Sequence, residues 1–210
     1  MLNRFVLLGL ISVALNFSNT GFSHDYQSLR TKNDTRIAST NLEVLYPDAA
    51  VLNRQDWRTA QDIPWSKVAI VKDDFDGDYL AVLDKNYKRS GGGNIVSETG
   101  IVSNWAQNRV RVFAYTLRKQ CGFLNVVCRE VDRTGLETKT LDIRIGDQVF
   151  NLRGENGNFP VSPELATALY NAPPGKAKIR ITLEGSGGTI NNDIGEGTVK
   201  AWKVVYKPSK

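Results

Sequence analysis

The stretch "RVRVFAYTL", Arg109 to Leu117, sets an apolar side chain at every second position, and the same rhythm returns along most of the chain after residue 65. Successive side chains of an extended strand point to opposite faces, so this period buries one face and wets the other. Related runs are "KVAIV" (67–71), "YLAVL" (79–83), "TLDIRI" (140–145), "QVFNL" (148–152), "AKIRITLEG" (177–185) and "VKAWKVVYK" (199–207). Gly146-Asp147 separates two of them, which is the signature of a two-residue type II′ hairpin. One-sided strands joined by short turns build antiparallel sheets. The expected fold is therefore mainly β: an antiparallel β-sandwich, jelly-roll-like or an open barrel. Neither long strands with a lipid-facing side nor aromatic girdles can be traced, which disfavours a membrane-spanning barrel.

One segment has a different signature. Ser162 suits a helix N-cap, Pro163 the first helical position, and Glu164 the positive end of the helix dipole. Leu165, Ala166 and Leu169 form an apolar stripe, and Pro173-Pro174 ends it. A short helix near 162–172 is expected to cover an edge or end of the sheets.

The chain begins differently. Arg4 precedes an unbroken apolar run of eleven, Phe5 to Leu15, too short for a membrane span of about 20 residues. Small residues at Gly21 and Ser23 complete the pattern of a secretory signal, so residues 1–23 are expected to be removed. Arg4 is the one charged residue there, and the formal charge of +5 would fall to +4. Residues 24–64 are polar and lack apolar rhythm, which points to an extended or partly disordered arm. Within it "LEVLYP" (42–47) is read as a short strand, and Trp57 or Trp65 is expected to dock the arm onto the core. Residues 65–210 form the sandwich domain. The expected location is secreted or periplasmic, with no membrane span.

Cys121 and Cys128 are the two cysteines. An even count at close range in an exported chain favours one disulfide. Redox pairs prefer two intervening residues, and zinc would need soft ligands that the sequence lacks.

Four aspartates crowd "DDFDGD", Asp73 to Asp78. Read as a helix–loop–helix calcium loop, the ligand positions are Asp74, Asp76 and Asp78. Tyr79 then occupies the place reserved for glycine, and Lys85 that of the bidentate glutamate. The pattern fails at both. Asp and Gly are also what a turn between strands requires. A charged turn is the first reading and a weak calcium site on Asp74, Asp76 and Asp78 the second; no other cofactor is implied.

His24 is the single histidine. It excludes a Ser-His-Asp or Cys-His triad in the domain, histidine-ligated zinc, and a copper brace, which needs a second imidazole. "SGGGN" (90–94) lacks the Lys-Ser/Thr ending of a phosphate loop. A carboxylate pair drawn from Asp73, Asp74, Asp76, Glu98 and Glu155 would still serve a glycan hydrolase if two of them faced each other.

Binding has more support. On "RVRVFAYTL" one face carries Arg109, Arg111, Phe113 and Tyr115, and arginine forks beside aromatic rings suit anionic sugars or a peptide. Lys178 and Arg180 alternate in the same way with buried Ile179 and Ile181. Trp105 is a further candidate contact. The competing reading buries Phe113 and Tyr115 beneath the helix or the arm, with the arginine stems lying over apolar surface. A small excess of charge with no concentrated basic run argues against nucleic acid. The expected function is binding without catalysis, to an anionic polysaccharide, an envelope surface or a partner protein. A carboxylate-dependent glycan hydrolase and a purely structural envelope component are the alternatives.

Overall fold

The structure is a computed structural model that describes residues 41–53, 63–122, 127–175, 177–185 and 188–208. The expected signal segment, most of the arm and Trp57 lie outside the described residues.

The elements follow in order: α1 (Leu42–Leu45), β1 (Ala50–Asn53), β2 (Val68–Lys72), β3 (Tyr79–Gly92), β4 (Ile95–Ala106), β5 (Arg109–Cys121), β6 (Cys128–Leu136), β7 (Thr138–Ile145), β8 (Gln148–Arg153), β9 (Asn158–Pro160), α2 (Pro163–Tyr170), β10 (Ala177–Leu183), β11 (Thr189–Asp193) and α3 (Glu196–Val205). Seven strands form a large sheet in the order β1-β2-β3-β4-β5-β6, with β9 also paired to β5. Four form a small sheet, β11-β10-β7-β8. The strand β6 pairs with the second half of β5 and β9 with residues Arg109 to Arg111, so two strands share one long edge. Pairing is antiparallel except for β1 and β2, which run parallel. The result is the β-sandwich that the alternating pattern implies.

The main core lies between the sheets. Val82, Ile101, Trp105, Val110, Val112 and Ala114 of the large sheet meet Leu141, Ile143, Ile145, Ile179 and Ile181 of the small one. These are the alternate positions of β5, β7 and β10, and burying each large aliphatic side chain contributes roughly 1.5–3 kcal/mol. The helices close the same core: Leu165 and Leu169 from α2, and Val199, Trp202 and Val205 from α3. The Trp105 and Trp202 rings pack at 4.7 Å between centroids.

The helix α2 starts as its sequence dictates, with the Ser162 side chain accepting from the Leu165 N–H at 3.2 Å. The β7–β8 connection is the expected two-residue turn, Ile145 facing Gln148 and Gly146 at φ +59°. Two segments read as strands are helical. Residues 199–207, read as a closing strand, lie mostly in α3. A strand would turn Lys203 to the same face as Val199, Ala201 and Val205. The helix instead buries Thr198, Val199, Ala201, Trp202 and Val205 and leaves Lys200 and Lys203 outside. The lysine positions, not the β-rich composition, carry the deciding period. "LEVLYP" is likewise a helical turn, α1, because the Asn41 side chain accepts from the Glu43 N–H at 3.1 Å and nucleates it. The strand of this region is β1, a few residues later.

The cysteines form a disulfide at the end of the β5–β6 ladder, where they are direct cross-strand partners. That bridge is compatible with an extracellular or periplasmic location. Among the described residues no helix is long and apolar enough to cross a membrane.

Candidate functional site

The aspartate turn is held by its own first carboxylate. Asp73 is buried and accepts from the N–H groups of Phe75 (3.1 Å) and Asp76 (3.2 Å). Its carbonyl takes the Gly77 N–H at 2.9 Å, and Gly77 supplies the left-handed φ of +82° that closes the turn. The remaining carboxylates diverge. Asp78 pairs with Lys72 at 2.7 Å, and Lys72 also reaches Glu43 of α1 at 2.6 Å. Asp76 stands 3.9 Å from Arg109, whose guanidinium lies over the Tyr79 ring. Asp74 is exposed. Among the described residues no three potential metal ligands converge, here or elsewhere.

The β5 face divides along its length. Arg111 donates from Nε to the Asn158 side chain of β9 at 2.8 Å. Phe113 is half-buried over Gly135, where an added Cβ would come within 3.2 Å of its ring. Tyr115 is fully buried and leans across Gly100. Ile63 and Trp65, in the chain leading into β2, pack with Tyr115, Leu117, Leu83 and Val102 in a second core on this outer side. Trp65 therefore docks the N-terminal chain onto the sheet. Trp105 belongs to the opposite face, completely buried, its Nε1–H donating to Ser103 Oγ at 2.8 Å. Of the five residues named as contacts, Trp105 and Tyr115 are buried, and Arg109, Arg111 and Phe113 are partly exposed.

What the outer face does contain is a buried acid. Glu98 is 2% exposed; it accepts from the Tyr115 hydroxyl at 2.8 Å and from Arg89 at 3.1 Å, with Lys119 at 3.8 Å. Burial alone would raise its carboxyl, but the Tyr115 hydroxyl, Arg89, Lys119 and Lys85 together hold it below its ordinary value. Burial, together with the same carboxylate, pushes the Tyr115 hydroxyl up. Both Glu98 oxygens are engaged, so this cluster ties β3, β4 and β5 together.

A groove of about 570 Å³ lies on the exposed side of the small sheet. It is lined by Asn86, Tyr87 and Lys88 of β3, Asp142 and Arg144 of β7, Val149 of β8, Lys178 to Arg180 of β10 and Asn191 to Asp193 of β11. Register sets its polar groups in two rows across the strands. One row runs Asn151, Asp142, Arg180, Asn191; the next, two residues along each strand, runs Val149, Arg144, Lys178, Asp193. In the first row Arg180 reaches Asp142 at 2.6 Å, and Asn151 donates to the other Asp142 oxygen at 2.6 Å. In the second row Lys178 and Arg144 are direct cross-strand partners, cation against cation. Lys178 leans away to Asp193 at 3.1 Å, and Arg144 to the Gly146 carbonyl at 3.0 Å and the fully exposed Asp147 at 3.9 Å. Four cations therefore line the groove against two carboxylates.

Alternation in "KIRITL" identified Lys178 and Arg180 as outward-facing residues, whereas Asp142 and Arg144 join them through a pairing between β7 and β10 that has no local signal. Asn192 adds an amide nitrogen that is buried and has no hydrogen-bond partner among the described residues. Comparison with protein-family models, with curated proteins and with solved structures finds no match for this chain.

Proposed function

We propose that the protein is an exported binding module that holds an acidic polysaccharide in the groove of its small sheet. The observation that carries this reading is the Arg144–Lys178 pair. Like charges directly opposite on neighbouring strands destabilise a sheet, and a ligand carboxylate or sulfate between them would remove that repulsion. A purely phosphate-bearing polymer would meet only repulsion at Asp142 and Asp193. Sugar hydroxyls, by contrast, donate to such carboxylates and exchange hydrogen bonds with the amides of Asn86, Asn191 and Asn192. The groove thus offers cations for the acid groups and neutral or anionic acceptors for the hydroxyls. The reaction-bearing alternative has less support: Asp142 is already satisfied by Arg180 and Asn151, whereas a glycosidic acid must keep a proton at neutral pH.

The test is calorimetric titration with a galacturonic-acid oligosaccharide and with its neutral galactose counterpart. The acidic chain should bind and the neutral one should bind at least about tenfold more weakly, with affinity falling as salt is added. Arg144→Gln should weaken binding by a similar factor while leaving the melting temperature equal or slightly higher, because the repulsion in the free protein is relieved. Equal binding of both sugars, or release of reducing ends, would contradict the proposal.

A further inference from the structure

Asn86 faces two ways. It lines the groove, is partly exposed, and its amide Nδ2 donates to Oδ2 of Asp84, which is 3% exposed behind it. The other Asp84 oxygen accepts from Thr198 Oγ1 of α3 at 2.7 Å and Ser66 Oγ at 3.2 Å, and these two hydroxyls stand 3.0 Å apart. The arrangement is held by close packing. Ser66 adopts a left-handed φ of +59°, and a Cβ on Gly197 of α3 would come within 3.0 Å of the Ser66 Cβ. The groups that face Asp84 are Ser66 before β2, Asn86 on its own strand, Ser103 across in β4 and Thr198 on α3, all neutral. Among the described residues no ion pair reaches it. A buried carboxylate without a cation has a proton within reach, and burial pushes this carboxyl up while the two hydroxyls and the amide partly offset the rise.

We infer that Asp84 is a positioning residue for the groove, its charge state selecting which end of the Asn86 amide is presented to the ligand. With Asp84 ionised, Nδ2 of Asn86 is committed inward and Oδ1 faces the groove as an acceptor for a sugar hydroxyl. When a solvent proton is taken up on Asp84 Oδ2, that oxygen becomes a donor. The Asn86 amide then turns over, Oδ1 accepting from Asp84 and Nδ2 facing the groove as a donor. No covalent bond other than the new O–H changes. This inference rests on the groove reading for its consequence, but the amide reversal itself exists without ligand.

The decisive experiment is therefore done first on the free protein. The side-chain amide signals of Asn86 in ¹⁵N-labelled protein are followed by NMR from about pH 3 to 8, in the wild type and in Asp84→Asn. The wild-type signals should titrate in one step, and those of Asp84→Asn should stay flat. An Asn86 amide that does not titrate, or that titrates equally in both proteins, overturns the inference whether or not the groove binds sugar. Galacturonate oligosaccharide is then titrated in over the same range. Wild-type affinity should change by about threefold to tenfold across the step, as expected for one exchanged hydrogen bond. Asn86→Ala, which removes the amide, should show a flat profile and serves if Asp84→Asn does not fold. A profile in Asn86→Ala as steep as the wild type's would also overturn the inference. Absence of binding at every pH alongside a titrating amide would sink the groove reading alone.

Discussion

Glu98 and Asp84 are buried carboxylates on opposite faces of the large sheet, and their surroundings give them opposite responses to acid. Glu98 lies among hydroxyl and cationic donors and its carboxyl is held below its ordinary 4.5. Its contribution to stability is present above that value and is lost as pH falls through the lower, folded-state value. Asp84 has only neutral partners and is raised above its ordinary 3.8. Between that value and the folded one the native state binds the extra proton, so stability from this group falls as pH rises through the window. In urea melts from pH 3 to 7, Glu98→Gln should cost roughly 1–3 kcal/mol at neutral pH and progressively less toward the acid end. Asp84→Asn should flatten the decline that begins near pH 4. Parallel shifts of either variant at all pH values would contradict these assignments. Neither role was legible in the sequence. Glu98 counted there only as an available acid, because its partners Arg89 and Tyr115 are fixed by the β3–β4 and β4–β5 registers rather than by local spacing.

At the scale of elements, α3 shows where local reading stops. Its Val and Trp residues favour a strand, and only the outward placement of Lys200 and Lys203 distinguishes the helical period. The packing against Trp105 then settles the matter. Trp202→Ala should cost about 3–5 kcal/mol, as removal of a fully buried tryptophan does. It should also loosen α3 from β3, visible as faster amide exchange at Val204 to Tyr206. An exchange-neutral variant would mean that the helix does not depend on this contact. The strand β6 illustrates the opposite case. Arg129, Glu130, Asp132 and Arg133 blunt an exposed edge, and a register shift opposite Arg118 and Lys119 interrupts it, two devices that discourage pairing with another chain. The disulfide was legible from the cysteine count, and its loop is short. Replacing both cysteines with alanine should cost about 2.5 kcal/mol under the chain-entropy model and loosen mainly the β5–β6 end. Loss of the whole fold would show that the bridge carries more than that ladder.

For the molecule as a whole, alternation specifies strands but not which sheet each joins. The sequence therefore discloses a sandwich without disclosing its groove. Two of the groove's cations, Lys178 and Arg180, could be placed outward from β10 alone. Arg144, which faces Lys178, lies across a pairing that skips β8, β9 and α2. The most visible chemical stretch, Asp73 to Asp78, closes a turn on itself, while the groove sets two cations, Arg144 and Lys178, directly opposite each other across β7 and β10. The measurement that tests this most directly is a ¹⁵N chemical-shift map of the protein titrated with a galacturonate oligosaccharide. Saturable shifts should gather at Asn86 to Lys88, Asp142, Arg144, Lys178 to Arg180 and Asn191 to Asp193. Shifts confined to the aspartate turn or to the Phe113 face, or none at millimolar sugar, would contradict a binding module built on the small sheet.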